Sequence, residues 1–267
     1  MTAAIEVRGV SKVFGGADAG ADAKLVAIKR ADMAVAPAEF VSILGPSGCG
    51  KSTLLDIISG LEPPTSGEIV VEGSVIHGPH PRMGLVFQQM SLFPWRSALD
   101  NVAFGLELKG VAPEQRRRKA MQMMELVDLA GFEQKYPAQL SGGMNQRVAI
   151  ARALALDPDI LLMDEPFAAL DEQTRRLMGL ELLRIWDRTR KTIVFITHSI
   201  EEAIQLSDRI LLMSARPSII REEIPVPIPR PRTIESLTTP AANEIERRIW
   251  KALLEESGKG RLDADRP

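Results

Sequence analysis

Gly45-Pro46-Ser47-Gly48-Cys49-Gly50-Lys51-Ser52-Thr53 has the spacing G-x-x-x-x-G-K-[ST] of a loop that cradles phosphate. Glycines let backbone N–H groups turn in on phosphate oxygens, and a helix following the loop adds the positive end of its dipole. Lys51 is spaced to reach the β- and γ-phosphates of a nucleoside triphosphate, and the Ser52 hydroxyl to ligate Mg²⁺. Cys49 is the chain's one cysteine; with no separate His and Asn constellation to make it a nucleophile, it reads as a small loop residue whose reactivity falls when nucleotide binds. Farther on, Ile160-Leu161-Leu162-Met163-Asp164-Glu165-Pro166 is an apolar run ending in two adjacent carboxylates. Consecutive side chains on a strand point different ways, so the two acids can take different tasks. Asp164 is expected to hold Mg²⁺, directly or through water, and Glu165 to polarise a water for in-line attack on the γ-phosphate.

Such groups must be carried by strand ends and helix starts. The apolar run 40–44 leads into the phosphate loop, and 52–59 has helical spacing after it, which gives strand, loop and helix. The opening alternates over 5–10, and glycine and aspartate break it into a loop over 15–22; residues 67–73 form another strand. Two short sheets are expected. Residues 112–131 are helical, with Met121, Met124, Leu126 and Val127 facing inward and Arg116-Arg117-Arg118-Lys119 solvated. A second long helix follows Ser141-Gly142-Gly143, marked by Val148, Ile150, Ala151 and Leu154, and Asp157-Pro158 stops it. Apolar strands at 160–163 and 192–197 flank a helix over 172–189, the alternation of a parallel sheet with crossover helices. The proline-rich stretch 225–231 reads as an extended linker, and 241–256 as a final amphipathic helix.

The chain has 267 residues, 45% of them hydrophobic, enough for a large α/β core. Lys plus Arg (33) nearly balance Asp plus Glu (35), so the net charge of -2 does not call for nucleic acid or an anionic lipid surface. A single cysteine and an N-terminus without an apolar signal stretch point to a reducing cytosol. No apolar run approaches the roughly 20 residues of a membrane helix, so membrane association is expected through another polypeptide.

Leu140-Ser141-Gly142-Gly143-Met144-Asn145-Gln146-Arg147 resembles the signature of ABC ATPases, most often LSGGQ, with Met144 the departure at the last position. Ser141, Gly142 and Gly143 supply a hydroxyl and backbone amides at a helix start, a second anion site. In that family the signature closes on the γ-phosphate of ATP bound to a partner subunit. The resemblance spans roughly residues 5–230 and fixes further roles by position. Phe14 matches the aromatic that stacks on adenine. Gln88 in Val86-Phe87-Gln88-Gln89 matches the glutamine that senses Mg²⁺, γ-phosphate and the membrane subunit, with Gln89 the alternative if the register moves by one. Ala168-Ala169-Leu170-Asp171 resembles the loop that communicates across the dimer, retaining Asp171, and His198 matches the switch histidine on the γ-phosphate.

The resemblance implies a P-loop NTPase ABC cassette: an α/β fold with a parallel core sheet, an N-terminal antiparallel β subdomain and a helical signature subdomain near 95–145. Residues 1–230 are then the ATP-binding domain and 231–267 a helical tail with no assigned regulation. It implies an ATPase using ATP and Mg²⁺, paired with a second copy or a related ATPase on the cytoplasmic face of the inner membrane. Partners would be transmembrane permease subunits and a periplasmic or extracellular solute-binding protein, with no nucleic acid. Residues 93–96 and 101–103 are expected near the permease contact, though Trp95 packed internally is an equal alternative. Leu92-Phe93-Pro94-Trp95, the Met-containing signature and Pro229-Arg230-Pro231-Arg232 resemble bacterial importers for nitrate, sulfonates and taurine. A soluble ABC ATPase acting on ribosomes or nucleic acid is the alternative. It fits less well, since such relatives carry two cassettes or a long coiled coil.

Overall fold

The computed structural model describes residues 2–15 and 24–264, with 257–264 by backbone alone. Most of the loop expected over 15–22 lies outside the described residues. In chain order, residues up to 80 form β1 (Ile5–Phe14), β2 (Leu25–Val35), β3 (Phe40–Leu44), α1 (Lys51–Ser59), β4 (Ser66–Val71) and β5 (Ser74–Ile76). Residues 81–191 form β6 (Met83–Val86), α2 (Ala98–Leu108), α3 (Pro113–Leu126), α4 (Gly142–Ala155), β7 (Ile160–Asp164) and α5 (Glu172–Thr189). The remainder forms β8 (Thr192–Thr197), α6 (Ile200–Leu206), β9 (Arg209–Met213), β10 (Ser218–Pro225) and α7 (Pro240–Ala264). The chain divides into two compact units, 1–80 with 192–267, and 81–191.

In the first unit the strands run in the order β5-β4-β1-β2-β10-β9-β3-β8. β3 is apolar and buried at every position but Ser42, also buried, and it pairs parallel with both β8 and β9. A strand covered on both faces reads as a continuous apolar run, which is why 40–44 is legible. β1 pairs antiparallel with β2 and β4, and β4 with β5. The expectation of two separate sheets fails at β10, which pairs parallel with β2 and antiparallel with β9 and so joins the antiparallel strands to the parallel ones.

The stretch 225–231 is extended but is no free spacer. Val226 and Ile228 are buried with Leu44, Ile200, Ile204 and Leu212, and α7 lays Ala242, Ile245, Ile249 and Ala252 into the same cluster. Arg230 pairs with Asp208 at 2.8 Å. Arg232 is buried and donates to the carbonyls of Ile204, Gln205 and Ser207, at the end of α6, and of Val226 and Ile228. A guanidinium is well placed on helix C-terminal carbonyls. Burial pushes its pKa down to about 10, which leaves it charged at neutral pH.

In the second unit β6 and β7 pair parallel. Each helix start carries its own signal: the Ser97 hydroxyl caps α2, Pro113 opens α3, and the Asp171 carboxylate caps α5. The inner stripe of α3 and the residue after it is Ala120, Met124 and Val127, spaced by four and three, whereas Met121 is exposed against expectation. Asn101, Val102 and Ala103 are buried, so they offer no surface to a partner. The Asn101 amide instead ties the preceding turn, accepting from Phe93 N at 2.8 Å and donating to the carbonyls of Phe93 and Arg96 at 3.1 Å each. Trp95 is 72% exposed, which excludes the internal alternative.

Candidate ATP-binding and hydrolysis residues

In the first unit, β3 delivers the chain into Gly45, and α1 begins at Lys51 with Gly50 as its N-cap and no side chain capping it. The N-terminal amides of α1 are therefore left to an anion rather than to a local side chain. Lys51 is only 5% exposed, and its ammonium turns into the loop, donating to the carbonyls of Gly45 at 3.0 Å and Pro46 at 3.1 Å. Ser47, Gly48 and Ser52 are exposed, Thr53 partly so. Gly48 has φ +74, a left-handed backbone that favours glycine. At Gly45 the constraint is space, since a Cβ would lie 2.9 Å from the Met213 carbonyl. Cys49 is buried, which pushes its thiol pKa up against the opposing charges of Lys51 and Arg216. It packs as a small loop residue and is no ready nucleophile.

Two more of the expected residues lie in this unit. Phe14 ends β1, partly exposed, with the Lys12 ammonium 5.1 Å from its ring centroid. Lys12 itself is buried, paired with Glu62 and donating to the Pro63 carbonyl at 2.8 Å, so it fixes one ring face. His198 is exposed one residue beyond β8. Its neighbour Ser199 caps α6 by accepting from Glu202 N at 3.2 Å, and Thr197 binds the buried Glu202 carboxylate. The histidine thus stands between a strand end and a capped helix start.

In the second unit, β7 ends at Asp164, half-buried after four buried apolar residues. Glu165 follows with φ +41, a conformation unfavourable for any residue but glycine. The turn closes by Ala168 N to Glu165 O at 3.1 Å and Leu170 N to Phe167 O at 3.1 Å. Asp171 then caps α5, accepting from Thr174 N at 3.0 Å, and that bond holds its carboxyl below the usual range. Ser141 caps α4 by accepting from Met144 N at 3.2 Å, and Ser141 and Gly142 are exposed at the helix start while Gly143 is buried. A Cβ on Gly143 would meet Thr174 Cγ2 at 3.1 Å. Gln88 and Gln89 both lie exposed after β6.

Each unit carries groups of a fitting chemistry. The Ser52 hydroxyl in the first unit, and the Asp164 carboxylate and Gln88 amide in the second, each offer a hard oxygen of the kind Mg²⁺ takes. The uncapped start of α1 with an inward ammonium suits polyphosphate.

A family model described as ABC transporter matches residues 28–168, more than half of the chain. The chain belongs to the ABC transporter family. It is an ABC-type ATPase. An uncharacterized ABC transporter ATP-binding protein of Methanocaldococcus jannaschii, MJ0412, is 51% identical over 80% of this chain and 80% of its own length. The nitrate import ATP-binding protein NrtD of a Synechocystis strain is 45% identical over 84% of this chain and 83% of its own. Among solved structures, the ATP-binding cassette MJ0796 in a dimeric post-hydrolysis state with ADP and Pi superposes with a TM-score of 0.71. It is 34% identical, over 83% of this chain and 98% of that one.

Within this ABC cassette, one partly buried cation escaped the sequence reading. Arg152 on α4 donates to the carbonyls of Met90 at 2.9 Å and Ser91 at 2.7 Å, tying the turn after Gln88 to the helix that the signature begins. Burial lowers its pKa. An arginine in an otherwise apolar-spaced helix was the available signal, but a carbonyl partner leaves no trace in sequence.

Proposed function

We propose that this chain is the motor subunit of an ABC importer, hydrolysing MgATP to drive solute uptake through separate permease subunits. The carrying observation is the uncapped start of α1 with the Lys51 ammonium turned into the loop, in a chain related to an import ATP-binding protein. The loop residues Gly45, Pro46, Ser47, Gly48, Cys49, Gly50, Lys51, Ser52 and Thr53 bind the phosphates, and Phe14 stacks on adenine with the ring face that Lys12 leaves open. Ser52, Asp164 and Gln88 would hold Mg²⁺, which would neutralise charge on the phosphate oxygens. Glu165 accepts a proton from the attacking water, the water oxygen bonds to the γ-phosphorus, and the bond to the β-phosphate oxygen breaks, giving ADP and phosphate. His198 contacts the γ-phosphate. Ser141, Gly142, Gly143 and Asp171 act across a dimer, on the nucleotide held by the partner's phosphate loop.

Closure of that dimer is favoured by ATP and released by hydrolysis, a two-state element biased by the ligand. Residues 1–230 are the ATP-binding domain, with 231–267 a helical tail. No helix among the described residues is long and apolar enough to cross a membrane, and in this reading the chain sits peripherally on the cytoplasmic face through its permease. The exposed Trp95, its ring tilted against Phe93 with centroids 5.6 Å apart, suits that contact. The solute is a small anion of the nitrate, sulfonate or taurine type, delivered by a binding protein outside the membrane.

The test is a pull-down of tagged Glu165→Gln protein with MgATP from detergent-solubilised native membranes, reading co-purified chains by mass spectrometry. A multi-span permease is the expected capture. Ribosomal or DNA-bound partners alone would replace the importer with a soluble ATPase.

A further inference from the structure

The loop between β9 and β10, residues 214–217, lays an arginine against the phosphate loop. Arg216 Nε donates to the Gly48 carbonyl, and a Cβ on Gly48 would come within 3.1 Å of Arg216 Nη2. The Arg216 side chain is exposed and had water available, yet it is engaged on backbone. The Gly48–Cys49 peptide is trans, so its C=O and N–H point in opposite directions. With the carbonyl turned to Arg216, the Cys49 N–H turns across the loop toward the Pro46 carbonyl at 3.3 Å. The Lys51 ammonium reaches that same carbonyl at 3.1 Å, so the amide and the ammonium converge on one oxygen of the loop.

The segment carrying Arg216 is itself held. Ser214 Oγ accepts from Ile219 N at 3.0 Å, and the fully buried Ser218 donates to the Ala27 carbonyl at 2.9 Å. From α7, the buried Glu256 accepts from Ala215 N at 3.2 Å through Oε2 and from Arg221 Nη1 at 3.0 Å through Oε1. A buried carboxylate that accepts from an arginine and a main-chain amide is costly to misplace, so it fixes that amide firmly.

We propose that Arg216 is a positioning residue for nucleotide binding: it holds the Gly48 carbonyl outward so that the Cys49 amide faces inward, and Glu256 of α7 holds the segment that carries it. The C-terminal helix thereby helps to set the phosphate loop. This rests on reading residues 45–53 as the ATP site.

Full-length protein carrying Arg216→Ala, Arg216→Lys, Glu256→Ala, Arg216→Ala with Glu256→Ala, or Lys51→Ala is titrated with MgADP by calorimetry, with ATP turnover and thermal midpoints measured alongside. Arg216→Ala should raise the Kd for MgADP and the KM for ATP about tenfold, the scale of one charge-assisted hydrogen bond, with kcat within about twofold. Arg216→Lys should recover part of the loss. Glu256→Ala should weaken binding in the same direction, and less than additively when combined with Arg216→Ala. Weak binding by Lys51→Ala beside unchanged binding by Arg216→Ala overturns the inference and leaves the ATP site standing. Unchanged binding by Lys51→Ala overturns the site itself. A loss in Arg216→Ala that lysine does not relieve, falling equally on kcat and on the midpoint, reduces Arg216 to a general structural role and also overturns the proposal. Should Arg216→Ala fail to fold, Arg216→Lys and Glu256→Ala carry the same comparison.

Discussion

Glu165 leaves β7 with φ +41, and a non-glycine residue held there costs about 1–3 kcal/mol. The cost is sustained because Asp164 is fixed by the buried strand before it and the turn after it is closed by two backbone hydrogen bonds. A carboxylate set this way cannot relax back along the strand direction, which suits a group that must meet a water. Glu165→Gln keeps shape and backbone while removing the proposed proton acceptor. Its phosphate release should fall by a factor of at least about 100, in line with loss of a general base, while ATP binding by filtration or calorimetry stays within about threefold. Normal turnover in that variant would remove Glu165 from the chemistry. At this scale the sequence was informative about placement: Lys51, Ser52, Asp164 and Glu165 stand at strand ends and a helix start as expected. Arg152 and Arg216 were not legible, because each acts on main-chain carbonyls far from it in sequence, and any residue supplies a carbonyl.

Helix α4 shows both sides of the same limit. Its start was readable, since Ser141 followed by two glycines and an apolar-spaced run is a capped helix, and the Ser141 hydroxyl does cap it. Gln146, one turn in, is fully buried, and neither amide atom has a hydrogen-bond partner among the described residues. An unpaired buried amide costs about 1–3 kcal/mol, so Gln146→Met, similar in volume and unbranched, should raise stability by about 1–2 kcal/mol in urea unfolding. Destabilisation instead would mean that a buried water satisfies the amide. Helix α5 matches its sequence bounds because Asp171 caps it and Arg190 ends it in a left-handed turn. β10 escaped notice for the opposite reason: Arg221, Glu222 and Glu223 interrupt its apolar alternation. Its identity as a strand comes from β2 and β9, whose register with it no local pattern encodes.

For the whole chain, the tail is where the sequence reading fell furthest short. Its amphipathic spacing announced a helix with an apolar stripe but not what the stripe meets. That surface is assembled from Leu44 at the end of β3, Ile200 and Ile204 of α6, and Val226 and Ile228 of the segment read as a linker. The elements behind the phosphate loop and behind His198 thus share one apolar cluster with α7, and Arg232 ties the same segment to the end of α6. If α7 were an appendage, trimming its stripe would be almost silent. Ile249 is fully buried in the cluster, so Ile249→Ala should cost about 2–5 kcal/mol, the range for large-to-small changes in a packed core. Urea unfolding followed by circular dichroism would register the loss as a lower midpoint with an unchanged slope. A stability change below about 0.5 kcal/mol, the size of an ordinary surface substitution, would mean that α7 leaves the core in solution, and the hold of Glu256 on the Arg216 segment would have to be abandoned with it.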